Sequence, residues 1–126
     1  MEKSKVLILF FIILVFLCCC SKEEEQIFTY TVNGTVYVES VPAPNVRVEA
    51  KYLGGETHEG HNWYNLGDML TDSDGKYEFV LEKNESRGWR FQVRAQNPLN
   101  GVWSEWKESG SVAAGASFTV NFNFRE

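Results

Sequence analysis

The chain has 126 residues, a net charge of −5, 44% hydrophobic and 14% aromatic residues, and three cysteines. That length is one small domain, and the acidic balance disfavours a phosphate backbone as partner, so no nucleic acid is expected. All three cysteines sit at positions 18–20, so the remainder holds no disulfide, no thiolate nucleophile and no cysteine metal ligand.

Lys3 and Lys5 precede an apolar run from Val6 to Leu17, after which the chain turns polar. A cationic start and a short apolar middle are the layout of a secretory signal peptide. The run is short of the roughly 20 residues that span a bilayer as a helix; an uncleaved helix anchor is the alternative. Leu17-Cys18-Cys19-Cys20 resembles the bacterial lipobox, which implies cleavage after residue 19 and lipid on Cys20, with Cys19 and Cys18 as alternative acceptors. Ser21-Lys22-Glu23-Glu24-Glu25 resembles the Lys-then-acidic export signal of surface lipoproteins in Bacteroidetes-type bacteria. The resemblance implies a lipid-anchored protein of the outer membrane facing the medium; the alternative faces the periplasm. The expected organisation is a signal peptide at 1–19, an acylated tether at 20–26 and one β-sandwich domain at 27–126. Without the leader the net charge is −6.

From residue 28 onward, short alternating stretches rich in β-branched and aromatic residues read as strands. Phe28–Val32 and Thr35–Val38 flank Asn33-Gly34. Pro42 and Pro44 mark a turn, since proline lacks the backbone donor. Val46, Val48 and Ala50 alternate with Arg47, Glu49 and Lys51. Residues 53–67 read as loop, with a short strand near Met69–Thr71. Asp72-Ser73-Asp74-Gly75 is a tight-turn signal. Tyr77–Glu82 and Trp89–Gln96 alternate again, Val102–Trp106 is a further candidate, and Phe118–Phe124 is the last. About seven strands with Gly/Pro turns and no helical periodicity predict an all-β, seven-stranded antiparallel sandwich with the aromatic rows inside.

Gly34-Thr35-Val36, Val41-Pro42-Ala43-Pro44-Asn45-Val46-Arg47-Val48, Thr71-Asp72-Ser73-Asp74-Gly75-Lys76-Tyr77 and the closing Val112–Phe122 stretch follow a recognisable order. They resemble a carboxypeptidase regulatory-like domain, a transthyretin-like (prealbumin-like) sandwich, over residues 30–124. Members are usually non-catalytic modules that brace an enzyme, extend a transporter or stand on a surface. The expected function is therefore a non-catalytic envelope lipoprotein that presents a sandwich to a protein partner. The stretch Phe91–Asn97 through Trp103-Ser104-Glu105-Trp106 is similar to late fibronectin type III strands and to the Trp-Ser-x-Trp-Ser element, with Lys107 in place of the last Ser. Arg90 or Arg94 is expected to stack on Trp103 or Trp106.

The alternative function is a surface glycan- or peptide-binding module. Its candidate platform is Trp63, Tyr64, Trp103 and Trp106, since loop aromatics beside polar groups suit such ligands; the favoured alternative is that Trp63 folds back to plug one end of the core, and Trp103 and Trp106 raise the same question. His58 and His61, three residues apart in a Gly-rich loop, and Asp68 are weak metal-ligand candidates. No metal or other cofactor is expected. Asp72, Asp74 and Glu78 lack the spacing of an EF-hand and read as a hairpin. Phe28–Val38 lacks the lysine that a Lys–Asn crosslink to Asn121 or Asn123 would need.

Overall fold

The computed structural model describes residues 26–54 and 62–125. They form an all-β domain of two sheets enclosing one core. The first sheet is built on β1 (Phe28–Val38), which carries β5 (Lys76–Lys83) antiparallel along one stretch, from Phe28↔Lys83 to Thr35↔Lys76. β2 (Val41–Pro42) folds back on the end of β1 through a two-residue turn in which Glu39 and Ser40 both take positive φ. That turn twists with the strands it joins. The closing strands β8 (Ser117–Thr119) and β9 (Phe122–Phe124) run parallel to β1, beside Thr31–Asn33 and Val36–Val38.

The second sheet has the order β4-β3-β6-β7, with β3 at Arg47–Gly54, β4 at Asn62–Leu70, β6 at Phe91–Ala95 and β7 at Lys107–Glu108. Both sheets turn alternate residues inward. Tyr30, Val32 and Val36 from β1, Tyr77, Phe79 and Leu81 from β5, Val48 and Ala50 from β3, and Phe91, Val93 and Ala95 from β6 meet in the core, closed by Trp89 and Phe122.

The architecture differs from the expected seven antiparallel strands in three ways. There are nine described strands, and the pairing of β1 with β8 and β9 is parallel. Second, Asn62–Leu70 is one strand where a loop and a short strand were expected. A register shift between Ala50 and Lys51 leaves Leu66 without a partner on β3 and resets the inward–outward phase of β4, which erases the alternation a strand normally displays. Third, Val102–Trp106 is not a strand. It meets the sheet at one bridge, Gln96↔Trp103, with the Ser104 N–H donating to the Ala95 carbonyl at 2.8 Å, and serine hydroxyls supplement the backbone pairing on either side of β7. Ser104 Oγ accepts the Ala95 N–H at 3.1 Å, and Ser109 Oγ accepts the Phe91 N–H at 2.8 Å.

The Asp72–Gly75 tight turn forms as expected, but it does not close a hairpin: it joins β4 of the second sheet to β5 of the first, and those strands do not pair with each other. Asp72 Oδ1 accepts the N–H groups of Asp74 and Lys76, both at 2.9 Å, and Gly75 takes φ 74°.

The parallel closing pair is held at its midpoint by a specific device. Gly34 stands opposite Tyr77. The Tyr77 hydroxyl passes beneath Gly34 and donates to the Val120 carbonyl at 2.5 Å. A Cβ on Gly34 would lie 1.7 Å from the Val120 oxygen and 2.7 Å from the Tyr77 hydroxyl. The inward turn of that carbonyl interrupts the ladder between β8 and β9. Asn121 repairs it, its Oδ1 accepting the Thr35 N–H at 2.9 Å, and Asn123 Oδ1 accepts the Ser40 N–H at 3.1 Å.

Gly34→Ala is expected to destabilise the domain by about 3 kcal/mol or more, because the clash is with backbone and cannot be relieved by a rotamer change; urea unfolding measures it. Burial holds the Tyr77 phenol above its ordinary range. Its folded pKa is raised, so its contribution is complete below the unfolded value of about 10 and is lost as pH rises beyond it. Tyr77→Phe is expected to cost about 1–3 kcal/mol at pH 7 by orphaning the Val120 carbonyl. It should also flatten the fall in stability between roughly pH 9.5 and 11, read from thermal melts across that range.

Candidate functional site

The outward face of the second sheet carries the residues with most capacity for recognition. β3 turns Arg47, Glu49, Lys51 and Leu53 outward, because Val48, Ala50 and Tyr52 turn in. The register sets Glu49 beside Asp68 on one flank and Arg94 on the other, and Lys51 beside Asn65 and Gln92. Two ion pairs cross these strands. Arg94 meets Glu49 at 2.7 Å, and Arg47 meets Asp68 at 2.8 Å.

Trp103 and Trp106 lie over this lattice of charges. The Arg94 guanidinium is 4.4 Å from the centroid of each indole. Arg47 lies 5.8 Å from Trp103, and Lys51 lies 4.8 Å from Trp106. Each indole therefore has two cations within cation–π range. The pairing of β3 with β6 produces this. Ser104 holds the segment against β6, and the two-residue spacing of Arg47, Glu49 and Lys51 on β3 repeats at about the strand rise, roughly 6.6 Å per pair of residues. Of the two arginines expected to stack here, Arg94 is the one over both rings.

The four platform aromatics do not act as one unit. Trp63 stands opposite Leu53 on the outward face, one row beyond Lys51, and is half-buried. Tyr64, its chain neighbour, turns to the other side of the strand. It stacks on Tyr52 with centroids 5.7 Å apart and planes at 30°, and remains 47% exposed. Tyr52 in turn meets Trp89 edge-on at 6.0 Å. Tyr64 thus covers the end of the core, while Trp63, Trp103 and Trp106 share the outward face.

Asp68, a candidate metal ligand, is committed to Arg47, whose hydrogen bonds hold its carboxyl below the usual range and raise the guanidinium's own pKa. His58 and His61 lie outside the described residues, as does Cys20. Among the described residues no group of three or more His, Cys, Asp or Glu side chains could hold a metal ion. The signal missed by sequence reading is the register: nothing in the local pattern reveals that Arg47, Lys51 and Arg94 converge on the two indoles from different strands.

No family model matches the chain, and no curated protein matches it. In shape it is similar to the dioxygenase domain of a dioxygenase–carbohydrate-binding protein fusion from the cellulolytic bacterium Streptomyces sp. SirexAA-E. That likeness has 17% identity and a TM-score of 0.50, over 82% of this chain and 84% of that one. Weaker overlaps include a 9R-lipoxygenase from Cyanothece PCC8801 (15% identity, TM-score 0.33, 84% of this chain, 17% of that one). Another is the human-specific toxin intermedilysin (12% identity, TM-score 0.32, 80% of this chain, 21% of that one). The chain spans less than a quarter of these last two. At these identities the likeness is one of fold alone.

Arg94→Ala removes the shared cation of both indoles and leaves Glu49 without its partner. It is expected to cost about 1–3 kcal/mol and to red-shift tryptophan emission. Arg94→Lys keeps the charge but loses the planar stack, and should recover less than half of that loss in urea unfolding.

Proposed function

We propose that this chain is a non-catalytic envelope lipoprotein that uses the outward face of its second sheet to hold a protein partner in a cell-surface complex. The observation that carries the reading is the stack formed by Arg47, Trp103, Arg94, Trp106 and Lys51. Tryptophan and arginine are the residue types that dominate binding energy at protein interfaces. Here they are held in place before any partner arrives, by ion pairs on one side and serine hydrogen bonds on the other. Preorganisation of that kind lowers the ordering cost of association.

The finer fold assignment belongs to the same proposal. A transthyretin-like, carboxypeptidase regulatory-like sandwich is supported by the Gly34-Thr35-Val36 first strand and by the Asp72–Gly75 turn from β4 to β5. The anchor is proposed from the leader: lipid on Cys20, an acidic tether and a place on the outer membrane, facing the medium. Acyl chains gain about 0.8 kcal/mol per buried methylene. A periplasm-facing anchor is the alternative address. A second reading, glycan or peptide binding, is favoured by the exposed ring of Tyr64 stacked on Tyr52.

Cys20→Ala is expected to abolish incorporation of labelled palmitate and to move the protein from the membrane to the soluble fraction. Unchanged labelling would overturn the anchor assignment. Protease shaving of intact cells is expected to release the domain; protection lost only on opening the outer membrane would reverse the leaflet. Crosslinking on cells reads the partner role: one envelope protein should couple to the wild type and not to Trp106→Ala at equal abundance.

A further inference from the structure

The outward face of the first sheet has a different chemistry. β1 is its middle strand, with β5 on one side and the closing segment that begins at β8 on the other, and its outward residues along this stretch are Thr31, Asn33 and Thr35. Asn33 lies in register with Glu78 on β5 and Thr119 on β8. Thr35 lies in register with Lys76 on β5, and its N–H is bound by the Asn121 side chain. The face therefore carries two parallel rows across three adjacent chain segments. One row is carboxylate, amide and hydroxyl; the next is ammonium, hydroxyl and amide. These six side chains, with Met69 and Asp72 from outside the sheet, are among those that line an open groove of about 490 Å3. That volume lies within the roughly 300–1,000 Å3 of small-ligand sites.

The two amides are already oriented. Asn121 Oδ1 is committed to the Thr35 N–H, and Asn33 Oδ1 accepts the Thr119 hydroxyl at 2.6 Å. Because an amide is planar, each commitment fixes the direction of the Nδ2 donors, which are left to the groove. Asn33 Nδ2 is therefore a donor in the same row as the Glu78 acceptor, and neighbouring strands are about 4.8 Å apart. A sugar hydroxyl donates and accepts at once, so a pair of neighbouring hydroxyls matches a carboxylate set beside an amide N–H. A peptide strand would instead seek a free sheet edge, where backbone groups are unpaired; this grid sits on a face, and β1 is paired on both sides. Charge narrows the class further. Glu78 and Asp72 outnumber Lys76 in the groove lining, which opposes an acidic sugar.

We propose that this groove binds a neutral saccharide, with Asn33 and Asn121 as donors and Glu78 as the acceptor. The proposal does not rest on the anchor or on the indole stack, which lies on the opposite face. The test uses the 15N-labelled full chain in detergent, titrated with linear hexasaccharides of glucose, xylose, mannose and N-acetylglucosamine, and with oligogalacturonate as the acidic counterpart. At least one neutral hexasaccharide should shift the side-chain amide resonances of Asn33 and Asn121. Asn33→Asp and Asn121→Asp keep the oxygen that serves Thr119 and Thr35 but delete the donors. Each should weaken that binding at least tenfold at an unchanged melting temperature, and Glu78→Ala should do the same. Tyr64→Ala should leave it unaltered. The proposal is overturned if no neutral member shifts those amides at millimolar concentration, if oligogalacturonate binds more tightly than all of them, or if Tyr64→Ala rather than Glu78→Ala removes binding. Should Asn33→Asp or Asn121→Asp melt early, Glu78→Ala, on an exposed strand position, decides alone.

Discussion

The hydrogen bond from Tyr77 to the Val120 carbonyl, threaded beneath Gly34, is the constraint on which the closed sandwich depends. β8 and β9 are each three residues long and run parallel to a strand some 86 positions away. Short parallel ladders are weak per residue, and their closure carries the entropy of a long loop. One buried phenol joins β5, β1 and the closing segment at a single point. It gives that segment an anchor that neither three-residue ladder supplies. The carbonyl's inward turn costs a ladder bond, and the Asn121 amide replaces it. Thus one core interaction determines a surface feature: because Val120 faces in, Asn121 must face β1, and its free donors point outward.

A second constraint governs the other edge. β6 is flanked by a segment that pairs by a discontinuous backbone ladder supplemented by serine hydroxyls. Backbone N–H groups in a buried strand must be satisfied, and Ser104 and Ser109 do this while freeing the intervening residues from strand geometry. Trp103 and Trp106 can then lie flat over charged side chains, a position that strict alternation would not allow both of them. Of the ion pairs beneath, Arg47–Asp68 is exposed and contributes little alone, while Arg94–Glu49 is part-buried. Their role in the stack is placement: Glu49 fixes the guanidinium of Arg94 at the height where both indoles reach it.

Where alternation is unbroken, as in Val46–Ala50, Tyr77–Glu82 and Phe91–Ala95, the sequence displays its strands plainly, and the inward residues are those expected. The Asp72–Gly75 turn is equally legible, because the Asx turn and positive φ are local chemistry, whereas its crossing from one sheet to the other is not. β4 is hidden because a single unpaired residue, Leu66, inverts its phase halfway along. The parallel association of the first and last strands is hidden for another reason: it rests on register between distant segments, which no local window contains. The site divides the same way. That an arginine would stack on Trp103 or Trp106 follows from composition and proximity in sequence. That Arg47 and Lys51 would join it follows only from β3 lying beside β6. Tyr64 parts from Trp63 because neighbouring residues in a strand face opposite sides, a consequence invisible while the segment is read as loop.

The two faces owe their difference to how each sheet is closed. The first is closed by a chain whose inward turn is compensated by amides, so amides and hydroxyls populate its surface in register with Lys76 and Glu78. The second is closed by a chain that binds through hydroxyls and leaves large side chains free, so indoles and guanidinium groups populate its surface. Both margins are secured by side-chain hydrogen bonds, and three of the groups used, Asn121, Asn123 and Ser104, also meet solvent. Structural economy and recognition chemistry therefore share residues here. A substitution at Asn121 or Ser104 acts on stability through its oxygen and on surface character through what that oxygen positions. Only replacements that preserve the oxygen, such as Asn to Asp, can separate the two effects.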